Sequence, residues 1–509
     1  MTLSSNSSGS EGTSKVRLPD RAALAVISLL AFGWRVGGLT HQSLWRDEVD
    51  SLHFAARTPP ELLATFVRPG ENGPLFFALL HPWLKLLGSS EFSLRLQASF
   101  GGMLAVMLTW ALAVRLMRVT QPLKHDAERP AVSSALPLLA AALAAVNPYL
   151  VWYSQEGKMY GWLPALVLAT LYAFLAALEQ GGTMRWLLWL LLLGISVLHH
   201  IWAILLVPLC MLWLTLLGPR YHRRWLPFLL TLLLPVLPYM RLVGWWQWRL
   251  WQTPNFQTGH PFVEPMQMLS GLATAYTMGL GVAPTRWPLI GLILLLLAGT
   301  LLPALRRNER IAPPLLWSWI VLPPLALYAI SLSKPLYADR YVIWIVPGLT
   351  LLAAQGILAL SRTSRALGAL ALAAALLTGT AAGWRQMHTP LKSDFRAAAA
   401  YIEAQRAPGD RLLFQIPYNR IVYEYYAGPQ TMLDGPYTNN DNPVTQIEAE
   451  LAAAVGDAPA VWLIASEEAL WDSRGLTRAW LETHGEITDQ QGWARVEAVR
   501  YQLAATPAP

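Results

Sequence analysis

Long apolar runs separated by short polar breaks dominate the chain up to about residue 385. Runs long enough to cross about 30 Å of hydrocarbon fall at 21–39, 93–117, 131–150, 159–178, 225–243, 286–305, 312–332, 341–360 and 366–384. The stretch 186–217 is longer than one crossing needs. It is interrupted by Leu198–Trp202, which reads Leu-His-His-Ile-Trp, and so splits into two short spans meeting at His199 and His200. The pattern predicts a polytopic α-helical membrane protein with about 11 spans. Gly73–Gly88 is also apolar, but counting it as a span would invert everything after it; it is expected as a juxtamembrane or re-entrant helix on the outer surface.

The basic residues orient this array. Lys15, Arg17 and Arg21 precede the first span, and Arg115, Arg118, Lys124 and Arg129 follow the second. Arg185, Arg220, Arg223, Arg224, Arg306, Arg307, Arg310, Arg362 and Arg365 then fall on the same side. The positive-inside rule makes that side the cytoplasm, so the chain is expected in the cytoplasmic (inner) membrane with its N-terminus in the cytoplasm and its C-terminus outside. Residues 1–20 are expected as a disordered cytoplasmic tail and 21–384 as the membrane domain, with a first outer loop at 40–92. The first span is followed by no small-residue cleavage site and should remain as an anchor.

From 385 to 509 the pattern shortens into helix, turn and strand periods, predicting a small soluble α/β domain outside the membrane. A hydrophobic fraction of 54%, 24 Trp and only 14% charged residues exclude an ordinary soluble protein. The single cysteine, Cys210, rules out an intramolecular disulfide or a cysteine metal cage. A net charge of +7 would suit nucleic acid, but the cations sit in clusters between spans and form no basic face, so no nucleic-acid partner is expected.

The acidic residues go the other way. Asp47, Glu48, Asp50, Glu61, Glu71, Glu91, Glu156, Glu264 and Asp339 all map to the outer side. Carboxylates pressed against hydrocarbon are costly unless they face water, a partner or a substrate, so this clustering marks a candidate site.

Four stretches carry a resemblance. Ser43–Leu52 (SLWRDEVDSL), Glu71–Leu96 (beginning ENGPLFF), Asn147–Trp162 (NPYLVWYSQEGKMYGW) and Tyr337–Leu349 (YADRYVIWIVPGL), in that order, resemble bacterial glycosyltransferase family 39. That family includes protein O-mannosyltransferases and lipid A aminoarabinose transferases. The resemblance covers about residues 20–385. It implies the fold of the C-type glycosyltransferase superfamily and transfer of a sugar from a polyprenyl-phosphate carrier to a lipid, protein or polysaccharide acceptor on the outer face. It implies Asp47 as the catalytic base, Glu48 as a residue positioning the acceptor or the loop, and Glu71 as a third active-site acid.

Arg340 is the cation expected at the carrier phosphate, with Tyr341 packed beside it; the alternatives are snorkelling and a pairing with Asp339. Lys158 stands where related sequences have arginine, and can hold phosphate as a point charge without the bidentate fork. Glu156 either joins the substrate site or pairs with Lys158. Tyr153 and Gln155 are candidate sugar contacts, and His199 and His200 are candidates at an outward-facing break. Metal ligation by the histidines would need further ligands; no cofactor is required and no metal site is predicted, although a divalent metal could bridge Asp47, Glu71 and a phosphate. A transporter or lipid-carrier flippase is the alternative class, but no inverted repeat accompanies the outer acids.

Overall fold

The computed structural model describes residues 18–67, 72–121, 133–239, 262–284, 286–302, 305–306 and 309–504, with a few isolated residues between 244 and 252. Glu71 and most of the expected N-terminal tail lie outside the described residues. Helix α1 (Leu18–Val36) leads into a loop carrying α2 (Arg46–Ala55), α3 (Pro59–Thr65) and α4 (Pro74–Leu87). The helices that follow are α5 (Glu91–Thr120), α6 (Ala135–Val146), α7 (Pro148–Tyr153), α8 (Leu163–Gln180), α9 (Thr183–His199), α10 (Leu206–Leu216) and α11 (Trp225–Tyr239). Then come α12 (Pro265–Met278), α13 (Arg286–Leu301), α14 (Pro313–Ser331), α15 (Val346–Thr363) and α16 (Arg365–His388).

Among the described residues, five segments are long and apolar enough to cross a bilayer: Glu91–Thr120, Met159–Gln180, Pro313–Ser331, Asp339–Thr363 and Arg365–His388. The other expected spans fall on helices too, several of them short. The run at 131–150 shows why. Ala144 O would ordinarily accept from the amide of residue 148, but that residue is proline and has no N–H. Helix α6 ends there, and the buried Arg35 of α1 supplies the missing donors to Ala144 O (3.3 Å) and Ala145 O (3.0 Å). Asn147 then caps α7 by accepting from Leu150 N at 3.0 Å. The break at the histidine pair falls where the pattern places it, with α9 ending at His199.

Close approach of backbones binds the bundle further on. A Cβ on Gly299 of α13 would lie 2.6 Å from Leu352 O, and one on Gly356 of α15 would overlap Leu295 O. Only glycine at both places lets these helices touch, the usual way of packing helices where lipid supplies no hydrophobic drive. Gln355 beside them donates to Gly299 O at 2.7 Å and accepts from Ile311 N at 2.9 Å.

After α16 comes the small domain: α17 (Phe395–Gln405), β1 (Arg411–Phe414), α18 (Arg420–Ala427), β2 (Met432–Asp434), α19 (Val444–Val455), β3 (Ala460–Ala465), α20 (Leu476–His484), β4 (Gly485–Trp493) and β5 (Val496–Leu503). The sheet order is β2-β1-β3-β5-β4, parallel through β2, β1 and β3 and antiparallel at β5 and β4. Every residue of β3 is buried, as expected of a central strand covered on both faces.

This domain docks on the loop between α1 and α5. Arg396 pairs with Glu91 (Nη2–Oε2 2.5 Å), and Tyr426 donates to Glu91 while accepting from Leu44 N at 2.6 Å. Ser43 Oγ donates to Ser393 O at 2.7 Å and Tyr425 OH to Ser89 O at 3.0 Å. The loop leading into α2 is therefore held between the membrane helices and the outer domain.

Candidate active site

Arg95, in the first turns of α5, organises the loop before α2. All five of its N–H groups donate: Nε to Glu48 Oε1 (2.7 Å), Nη1 to Leu39 O (2.6 Å) and Gln42 O (2.8 Å), Nη2 to Ser43 O (3.0 Å) and Glu48 Oε2 (2.7 Å). Glu48 accepts two more bonds, from Gly157 N to Oε1 and from Lys392 Nζ to Oε2, each 2.8 Å. Four donors saturate a carboxylate. Burial by itself would raise the Glu48 pKa, but Arg95 and Lys392 outweigh it and hold the group down at about 2. Of the two roles expected for Glu48, holding the loop is the one this geometry accommodates.

Gly157 reaches Glu48 because it has no side chain. A Cβ there would sit 2.5 Å from Leu94 Cγ. A side chain there would force Leu94 to give way.

Asp47, about 100° around the helix from Glu48, faces a different space. Its side chain is 24% exposed and its Oδ2 lies 3.5 Å from Arg340 Nη1. Arg340 sits on a 3-10 turn, Asp339–Ile345, with its guanidinium carbon 5.6 Å over the Tyr160 ring. Among the described residues, its buried Nε has no hydrogen-bond partner. The Arg340 amide donates to Asp339 Oδ1 at 2.8 Å, so the acid tightens the turn and the guanidinium is left for the pocket.

Three further groups line the same space. Lys158 lies 5.7 Å over the Phe77 ring; burial lowers its pKa, against the opposing pull of Asp47, Asp50 and Glu156. Glu156 is 1% exposed and its Oε1 has no hydrogen-bond partner among the described residues. Burial pushes its pKa up to about 7, Lys392 and Arg340 drawing it down and Glu48 and Asp47 reinforcing the rise. His200 Nδ1 accepts from Trp202 N at 3.4 Å, which assigns the proton of the neutral ring to Nε2. That nitrogen is buried and, among the described residues, without a partner, on a ring between Tyr160 (5.5 Å) and Tyr341 (5.4 Å).

Asp47, Glu156, Lys158, Arg340, Tyr341 and His200 thus form one cluster of groups that act on one another. Tyr153 belongs to a layer of edge-on tyrosines behind it, 4.8 Å from Tyr149 and 5.3 Å from Tyr160. Gln155 is committed elsewhere: its amide donates to Arg35 O (2.8 Å) and Trp34 O (3.4 Å), closing the end of α1. His199 Nε2 bonds to Met159 O at 2.9 Å and props the loop that carries Lys158. Asn72, the neighbour of Glu71, accepts from Ile201 N at 3.1 Å and ties the outer loop to the histidine break. Among the described residues, no three or more His, Cys, Asp or Glu side chains are grouped to hold a metal ion.

Sequence reading missed Arg95 and Lys392. Arg95 carries a signal, an ionisable residue inside an otherwise apolar helix. Lys392 carries none, because its partners lie hundreds of residues away in sequence.

No family model and no curated protein matches the chain. Solved structures do. The oligosaccharyltransferase of Archaeoglobus fulgidus in its apo form aligns with a TM-score of 0.56 at 12% identity, over 91% of this chain and 71% of that one. ArnT from Cupriavidus metallidurans in the apo state aligns with a TM-score of 0.54 at 13% identity, over 95% of this chain and 98% of that one. AglB from Archaeoglobus fulgidus, in complex with an inhibitory peptide and a dolichol-phosphate, gives 0.51 at 11% identity, over 96% and 74%. With its apolar helical array, its outer loop helices and its C-terminal domain, the chain is a multi-pass membrane protein with the C-type glycosyltransferase fold.

Proposed function

We propose that the protein is a membrane glycosyltransferase that takes a sugar from a polyprenyl-phosphate donor and passes it to an acceptor hydroxyl on the outer face of the cytoplasmic membrane, with inversion. The observation that carries this reading is the half-open pair of Asp47 and Arg340 at 3.5 Å, a base and a cation side by side, near polar atoms that are buried and, among the described residues, without a partner. The dolichol-phosphate held by AglB, which shares the fold, supports the class of donor.

In this reading Asp47 removes the acceptor proton as the acceptor oxygen bonds to the anomeric carbon. The bond from that carbon to the phosphate oxygen breaks on the opposite face, and its electron pair leaves with the phosphate. Arg340 and Lys158 offset the charge that develops there. His200 Nε2–H and the Tyr341 ring contact the sugar or its phosphate, and Glu71 serves as a third active-site acid. The expected topology, N-terminus cytoplasmic and C-terminal domain outside, puts this pocket at the outer surface, and no metal is assigned to it.

The test is sugar release from radiolabelled polyprenyl-phosphate sugars by purified full-length protein in detergent, with cell-envelope extract as acceptor, beside Asp47→Ala and Arg340→Ala. Turnover of one donor that Asp47→Ala abolishes in a folded protein supports the reading. No turnover of any donor, or a fully active Asp47→Ala, overturns it.

A further inference from the structure

Between α16 and the outer domain the chain runs through Thr389–Asp394, and this short linker is stitched to the loop before α2. Gln42 alone makes four bonds to the region: its Nε2 donates to Gln386 O (2.8 Å) and Thr389 O (3.1 Å), and its Oε1 accepts from the amides of Leu391 and Lys392, each 3.0 Å. Ser43 adds the bond to Ser393 O. At the centre Lys392 turns inward, its side chain only 7% exposed, and places its ammonium 2.8 Å from Glu48 Oε2 and 5.3 Å from the centre of the Trp152 ring.

A buried lysine needs a reason. Glu48 is already matched by the bidentate Arg95, so Lys392 brings a second cation to a carboxylate that charge balance alone would leave to one. Desolvating an ammonium costs several kcal/mol unless opposite charge compensates it. The charge that does so besides Glu48 is Glu156, for which Lys392 is the foremost charged influence. One lysine on the linker therefore touches the locked carboxylate behind Asp47 and balances the open one inside the pocket.

We propose that Lys392 is a positioning residue of the transferase site, through which docking of the outer domain sets the placement of Asp47 and of the loop bearing Glu156 and Lys158. This rests on the transferase reading above for its effect on turnover, though not for its effect on structure. The path is continuous: Lys392 to Glu48 Oε2, Glu48 Oε1 to the Gly157 amide, and along one peptide to either side for Glu156 and Lys158. Asp47 is the residue next to Glu48 on α2. The outer domain is then a working part of the catalytic unit, and the linker one of the walls of its site.

The experiment compares wild type, Lys392→Met and Gln42→Ala as full-length proteins in detergent, by donor kinetics and by hydrogen exchange. Methionine keeps the volume and removes the charge. For Lys392→Met we expect kcat to fall about ten- to hundredfold, the loss associated with a misplacement of about 1 Å. The donor KM should stay within about twofold, since Arg340 is untouched. Exchange should quicken over residues 42–50 and 154–162 while β3 keeps its protection. Gln42→Ala loosens the linker and leaves the charge, so it should show the same pattern with a smaller fall in kcat, and it carries the test if Lys392→Met does not fold. Unchanged kcat and unchanged exchange in both variants would overturn the proposal, as would a loss confined to KM with no change in exchange. If wild type turns over no donor, the transferase reading fails, and the exchange pattern alone decides whether Lys392 couples the linker to the loop.

Discussion

The two carboxylates that open α2 end on different sides of it and in different states. Glu48 is fully buried, accepts four hydrogen bonds and is held at a pKa of about 2. Asp47 is 24% exposed and meets one cation at 3.5 Å. A carboxylate whose lone pairs are all occupied has none to offer a substrate, and one with a single long ion pair keeps most of its capacity free. The cations divide in the same way: Arg95 spends all five N–H groups on the protein, whereas Arg340 keeps a buried Nε without a partner. Saturation marks the frame, and the groups with bonding capacity to spare are the ones proposed to meet the substrate.

The contrast is broken most severely by exchanging the roles. Asp47→Asn should cost about 10²- to 10⁴-fold in turnover, the range for loss of a general base, while thermal unfolding stays close to wild type; the pair of assays separates chemistry from folding. Glu48→Ala should do the reverse. It strands Arg95 and Lys392 without their shared counter-ion, and breaking a buried pair costs about 3–5 kcal/mol, read as a large drop in melting temperature or a failure to accumulate in the membrane. Arg340→Lys is milder: the charge stays but the planar fork is lost, and turnover should fall about tenfold, equivalent to roughly 1.4 kcal/mol of transition-state stabilisation. An Arg340→Lys protein as fast as wild type would mean that a point charge suffices at that position.

The helices were legible because a span has to be apolar along its whole length. The break at His199 and His200 showed for the same reason, two polar rings interrupting a run. Helix α12 was not foreseen, since Met266–Met278 mixes Ser, Thr and Gln into a short amphipathic stretch. Nor was β4, an edge strand reading GEITDQQGW with most residues exposed, which lacks the alternation that betrays a strand. In the site, Asp47 and Arg340 were legible as charges next to apolar runs. Glu48, adjacent to Asp47, carries the same local signature and does different work, because a turn of about 100° per residue sends adjacent side chains to different surroundings. Lys392 was out of reach, lying 344 positions from Glu48.

Glu156 lies between the two regimes, buried like Glu48 and unpartnered at Oε1 like the open groups, so it offers the finest test of the distinction. Its pKa is raised in the folded protein, to about 7, from the ordinary carboxylate range. The folded state then binds a proton more tightly than the unfolded chain does. Its contribution to stability is fully present below the unfolded pKa of about 4.3 and is lost as pH rises through about 7. Glu156→Gln keeps the shape and removes the titration. Relative to the variant, wild type should lose a few degrees of melting temperature between about pH 5 and pH 8, with the difference levelling off above that. Glu48 adds nothing in this window, since its depressed pKa places its own loss of stability at acid pH. Parallel melting curves for wild type and Glu156→Gln across the range would mean that Glu156 stays ionised, with Lys392 and Arg340 neutralising it as completely as Arg95 and Lys392 neutralise Glu48. The site would then hold two locked carboxylates and a single open one, Asp47.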